Sequence, residues 1–173
     1  PYKRIDMDEV KKTYRDIIDR TKAAGSGEEQ FEIHREYYKF MDDIRTSMEL
    51  AMIRHDIDTT DEFYEKESDF YDEVTPIINQ YENEYGQVLY DSPYREYLES
   101  KIGKVTFKNI EIANKAFDEK IIPLMQEENA LSSRYSKLIA TAKIPFEGEI
   151  YNLSLMKKFQ TSPDREVRRK AWK

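Results

Sequence analysis

The stretch IHREYYKFMDDIRTSMELA, residues 33–51, places Ile33, Tyr37, Phe40, Ile44, Met48 and Ala51 at intervals of four and three. Side chains so spaced fall on one face of an α-helix, so a long amphipathic helix is predicted here. A second row follows: Phe63, Phe70, Val74, Ile77, Tyr81, Tyr85 and Val88 repeat the rhythm across residues 60–90. Pro76 falls inside that row, and its ring removes one backbone donor, which predicts a kink. Two long helices joined by a short link lie antiparallel. The expected fold class is therefore all-α, an antiparallel helical bundle built on two long helices.

Working outward, DMDEVKKTYRDIIDRTKAAGSG (6–27) reads as a first helix, with acids at its positive end and Gly25-Ser26-Gly27 closing it. Downstream, DSPYREYLESKIG (91–103) predicts a helix with Ser92 as N-cap, Pro93 at its first position and Gly103 at its end. Residues 105–117 give another short helix. A long one is expected from about Asp118 to Ala142, with Pro123 in its first turns and an inward row of Ile121, Met125, Leu131, Tyr135, Leu138 and Ala142. The period then changes. In KIPFEGEIYNLS (143–154), Ile144 and Phe146 alternate with Ile150 and Leu153 around Glu147-Gly148-Glu149, which predicts a small β-hairpin or extended excursion near residues 143–153. Ser154 opens a further turn of helix. A last helix begins at TSPDREVRRKAWK (161–173), with Ser162 as N-cap and Pro163 just inside.

Composition narrows the function classes. With 173 residues the chain suits a single domain, 1–173. Its 36% charged and 39% hydrophobic content fits helices with charged outer faces, and 13 Tyr, 8 Phe and one Trp argue against a solvated, disordered tail. Residues 157–173 hold seven basic and two acidic side chains, a net of +5, which leaves −12 on residues 1–156 out of the total of −7. An acidic body repels phosphate backbones, so no nucleic-acid partner is expected. The basic segment reads as a solvated helix face. There is no cysteine, which removes disulfides, thiolate metal sites and a Cys nucleophile. With no membrane-length apolar run and no signal-like start, no membrane partner is expected and a cytoplasmic location is. The chain opens without Met, and its last helix has a start and no stop, so a truncated piece of a longer protein is expected.

Two constellations invite a metal. A helical zinc hydrolase needs His-Glu-x-x-His, because histidines four apart share a face while the Glu activates a water. His34 is followed by Arg35, with Tyr38 four residues on; His55 is followed by Asp56, with Thr59 four residues on. Neither fits. Asp56, Asp58, Thr60 and Glu67 occupy the first, third, fifth and twelfth places of a calcium loop, but Asp61 stands where the loop's turn calls for Gly. The cheaper reading is a corner between helices, in which Thr59 and Glu62 form a capping box and His55 is a packed ring or a partner of the helix dipole. A Ser-His-Asp site and a glycine-rich phosphate loop find no support in two scattered histidines and five glycines. No catalytic, cofactor-binding or metal-ligating residue is assigned.

Three strings, IRHDIDTTDEFYEKE (53–67), QEENALSSRYSKLIATAKIPFEGEIYNLS (126–154) and TSPDREVRRKAW (161–172), together resemble the N-terminal part of the oligoendopeptidase F family, zinc metallopeptidases related to thimet oligopeptidase. The resemblance runs from about Tyr2 to Lys173. It implies a largely helical clam-like body around a deep cleft that admits short peptides. It also implies a parent enzyme that holds zinc and cleaves peptides with a metal-activated water. The zinc-binding His-Glu-x-x-His helix and the third ligand, a Glu, belong to a later portion of such chains, so none is carried over here. On this resemblance residues 1–173 form a wall or lid of the cleft, inactive alone, whose partner is a missing C-terminal catalytic portion. Bare apolar surface on the last helix, Trp172 included, is expected to mark where that portion docks. The alternative is a stand-alone helical interaction module without enzymatic activity.

Overall fold

The computed structural model describes residues 2–173. Eight helices and one hairpin follow in order: α1 Met7–Ala23, α2 Gly27–Ile57, α3 Glu62–Tyr90, α4 Arg95–Ile102, α5 Lys104–Ala116, a 3-10 turn Glu119–Ile121, α6 Ile122–Ala140, β1 Ile144–Phe146, β2 Glu149–Tyr151, α7 Leu153–Gln160 and α8 Arg165–Ala171. The all-α bundle with two long helices is therefore observed. α3 is its mast, packing against α1, α2, α5 and α6.

The predicted rows of α2 and α3 supply much of the core, since Ile33, Tyr37, Ile44, Ala51, Val74 and Tyr85 are all buried. The fit is not complete. Phe63 is exposed, and Met41, Tyr71, Ile78 and Leu89, outside the predicted rows, are buried. From α1 come Val10, Tyr14, Ile17 and Ile18; Leu98 of α4 and Phe107 of α5 close the cluster. Tyr14 sits edge-on to Phe40 and stacked on Tyr81, both at 5.2 Å between ring centres. Burial pushes the phenols of Tyr14, Tyr37 and Tyr85 far up, so all three remain neutral.

Polar ties hold the ends. Glu67, buried in α3, accepts hydrogen bonds from the Tyr2 hydroxyl and from two nitrogens of Arg4, whose guanidinium lies 4.6 Å from the centre of the Phe70 ring. The Arg4 hydrogen bonds hold the Glu67 carboxyl below its usual range. Tyr2 also packs edge-on against Phe63 and Tyr64. The buried amide of Gln30 donates to the Thr21 carbonyl at 2.8 Å and accepts from Ser92 Oγ at 2.5 Å, joining the end of α1 to the approach of α4. Gly27 begins α2 because Tyr97 crosses there: a Cβ would lie 2.6 Å from its ring.

Several helix starts depart from expectation. Asp61, not Thr59, caps α3, accepting from the amides of Phe63 and Tyr64. Asp164, not Ser162, caps α8, accepting from Glu166 and Val167. A carboxylate next to the positive end of a helix outcompetes a neutral hydroxyl, and the Ser or Thr just before it is left to shape the turn. Nor is Ser92 the N-cap of α4, which starts at Arg95; its hydroxyl donates to Gln30 and accepts from the Tyr94 amide in the turn before the helix. Asn152 rather than Ser154 caps α7, and Ser26-Gly27 opens α2 rather than closing α1.

The hairpin forms where the period changed. Glu147 and Gly148, with φ of 49° and 88°, make a two-residue turn whose left-handed backbone matches strand twist. Register pairs Ile144 with Tyr151, Pro145 with Ile150 and Phe146 with Glu149. Ile150 therefore faces away from Ile144 and Phe146, and Leu153 belongs to α7; it is Tyr151 that joins the inner face, where Phe159 meets both Phe146 and Tyr151.

Candidate functional site

The corner between α2 and α3 turns within residues 58–61. Asp58 Oδ1 accepts from the Thr60 amide at 2.9 Å and its hydroxyl at 2.6 Å, while residues 62–67, which a calcium loop needs as loop, form the first turns of α3. His34 and His55 both lie on α2, 21 residues apart, about 31 Å along the axis at ~1.5 Å per residue. They cannot share one ion. His34 is buried beside Tyr85, 3.0 Å from Nδ1 to the hydroxyl, and Nε2 has no protein partner; burial pulls its pKa down to about 4. His55 is buried in the last turn of α2, with Asp56 as neighbour. Among the described residues no three His, Cys, Asp or Glu side chains gather to hold a metal. The donors of the described residues are not gathered in a way that fits zinc.

What the fold does build lies between α3, α5 and α6. A groove of about 350 Å³ has an apolar floor of Ile110, Phe117, Ile121 and Met125 and an amide rim of Asn79, Asn83 and Asn114. α5 comes close at Gly86, where a Cβ would stand 3.3 Å from a methyl of Ile110. Asn83 donates to the Asn79 carbonyl at 2.7 Å and Asn114 to Gln87 at 2.8 Å, so the rim amides are already oriented. Glu82, at the edge, faces Arg45 at 3.3 Å, and burial pushes its carboxyl up. Amides over an apolar floor suit a peptide-like group, which offers both donors and acceptors. No paired nucleophile and base lines this groove.

Beside it, α6 is attached by an unusual seam. Pro76 has no N–H, so the carbonyl of Asp72, four residues earlier, loses its helical donor. Asn129 supplies one, donating to Asp72 O at 3.1 Å, and Gln126 donates to Glu73 O at 2.8 Å. Ser133 donates to the Asp72 carboxylate at 2.5 Å, and Lys137 is bonded to Glu65, whose carboxyl it holds low. Gln126, Asn129, Ser133 and Lys137 form one stripe, so α6 turns its polar face inward. The predicted inward row is thereby corrected: Leu131, Tyr135 and Leu138 are 50%, 66% and 68% exposed, and only Ile121, Met125 and Ala142 are partly covered. Periodicity reports which residues share a face but not which way it points. Pro76 was the available signal, because an orphaned carbonyl requires a donor from elsewhere.

Comparison with known proteins identifies the class. The family model for the Peptidase M3 N-terminal domain matches residues 1–117, and the chain belongs to that family. A solved structure of PZ peptidase A with an inhibitor superposes with a TM-score of 0.96 at 40% identity, covering 99% of this chain and 31% of that one. One provisionally assigned as oligoendopeptidase F gives 0.96 at 39%, covering 99% and 30%. Another, provisionally assigned likewise, from Bacillus anthracis str. Ames, gives 0.95 at 36%, covering 99% and 32%. The chain thus spans about a third of the length of these relatives and shares the fold of that part. No curated protein matches it. Among the described residues no helix is long and apolar enough to cross a membrane.

Proposed function

We propose that residues 1–173 form one N-terminal helical domain of a longer, zinc-dependent oligoendopeptidase that hydrolyses short peptides, and that this domain is a wall or lid of the substrate cleft. The observation that carries this reading is the match of nearly the whole chain, at 36–40% identity, to about a third of each of three peptidase structures. On this reading zinc ligands and hydrolytic groups lie outside these residues; it is supported by the lack of any gathering of three His, Cys, Asp or Glu side chains among the described residues and by a groove that offers amides and apolar surface. Its role is contact with peptide, not chemistry on it. A cytoplasmic setting fits a chain without cysteine.

The test compares the 173-residue chain with the full product of its gene on short fluorogenic peptides. The full product is expected to cleave, to stop with a chelator and to recover with zinc, while the 173 residues stay inactive with or without the metal. Cleavage by the short chain, or a full product indifferent to chelation, overturns the proposal.

A further inference from the structure

The orientation of α6 is the reverse of what a surface helix needs. Its polar stripe is spent on α3, while Leu131, Tyr135 and Leu138 form an outward apolar row, with Leu124 exposed on the same side beyond Glu127 and Glu128. A helix on a protein surface normally turns such a row to the core. Charge tells the same story independently. Residues 129–142, NALSSRYSKLIATA, hold only two charged side chains in fourteen, in a chain that is 36% charged. One of the two, Lys137, is used inward on Glu65. Ala130 and Ser132 flank the row and are small enough to let another backbone approach closely.

We infer that the outer face of α6 is an internal interface of the complete polypeptide, covered by the part of the chain that in the longer relatives lies outside the match. Three observations choose this occupant. About two thirds of each solved relative lies beyond the matched region, ample to cover the row. The family's N-terminal model ends at residue 117, before α6, and the buried apolar cluster takes no residue beyond Phe107. α6 is thus bonded to that cluster's body by polar contacts while its apolar side belongs to a second core. Lastly, α7 packs on α6 and leaves Leu153 and Leu155 exposed, so bare apolar surface extends past α6 itself. Trp172 on the last helix is exposed as expected, and the bare apolar surface extends from there to α6. This inference rests on the proposed parent being longer, but not on its being a peptidase.

The lack of cysteine in these residues makes a direct test possible. Leu131→Cys and Leu138→Cys, both at exposed positions of the row, are placed in both the 173-residue chain and the full gene product, with Asp19→Cys on α1 as a reference. Maleimide labelling at each site is followed by mass spectrometry. In the short chain all three sites are expected to react at similar rates. In the full product the two α6 sites should slow about a hundredfold or more relative to Asp19→Cys, and recover in denaturant. Equal reactivity in the full product overturns the inference. So does protection in the short chain that grows with concentration, because a second copy is then the occupant. Peptidase activity of the same samples separates the two proposals: protection without cleavage sinks only the function, and cleavage without protection sinks only the interface.

Discussion

Residues 2–117 and 118–173 are held together by opposite means. In the first region sixteen buried apolar side chains from five helices interlock, and polar bonds decorate the ends. In the second only Met156 is a buried hydrophobic, and attachment runs through amides, a hydroxyl and one ion pair along α3. Apolar burial is cumulative and hard to reverse, whereas each polar bond is nearly matched by water. The difference teaches that α6 is placed on the first region by specificity, with its apolar stabilisation left to be gained elsewhere.

The largest effect should come from cutting into the first core. Phe107→Ala removes a fully buried ring and is expected to cost about 3–5 kcal/mol of unfolding free energy in chemical denaturation. The next concerns His34. Its lowered pKa means the unfolded chain takes up a proton near pH 6.5 while the folded one resists until about pH 4, so this group's stability is complete above pH 6.5 and lost on descending that interval. The loss should reach about 3 kcal/mol. His34→Phe should flatten that part of the stability curve, whatever its effect at neutral pH; an unchanged slope contradicts the assignment. Glu67, whose carboxyl is held low, acts at lower pH, while Glu82, whose carboxyl burial pushes up, acts in the opposite sense from His34, so the His34 effect is read as the difference between the parent and His34→Phe curves.

A smaller effect probes the seam. Asn129→Ala strands the Asp72 carbonyl and should loosen α6 by about 1 kcal/mol, seen as faster hydrogen exchange within α6. In a Pro76→Ala background the helix supplies its own donor to Asp72, so the same change should cost clearly less; additivity of the two would break the orphan-carbonyl account. Smallest of all, Leu138→Ser in the 173-residue chain should change stability by less than about 0.5 kcal/mol, since its side chain is already in water. A substantial loss there would erase the contrast between the two regions.

Much of the fold was legible because helical period and local turn chemistry are properties of neighbouring residues. α2, α3 and α5, the stop at Gly103 and the hairpin at Glu147-Gly148 all follow from spacing of that kind. Cap positions shifted by two residues where a Ser or Thr stands two residues from an Asp or an Asn, a competition between neighbouring acceptors that a pattern does not rank. The facing of α6 was not legible from its own residues. It depends on a proline 53 positions before Asn129, whose consequence appears only once the two helices are side by side. The groove rimmed by Asn79, Asn83 and Asn114 is likewise a product of α3 and α5 meeting at Gly86, and asparagines at those positions carry no local sign of it.

The Tyr2 and Arg4 clasp on Glu67 has a consequence for how the bundle comes apart. It ties the approach to α1 to the opening turns of α3, so the three longest segments of residues 2–90 are threaded into a closed circuit rather than stacked like loose rods. Fraying at the amino end and unwinding at the head of α3 must then happen as one event, and a probe fused ahead of residue 2 would report on the α2–α3 corner instead of on a free tail.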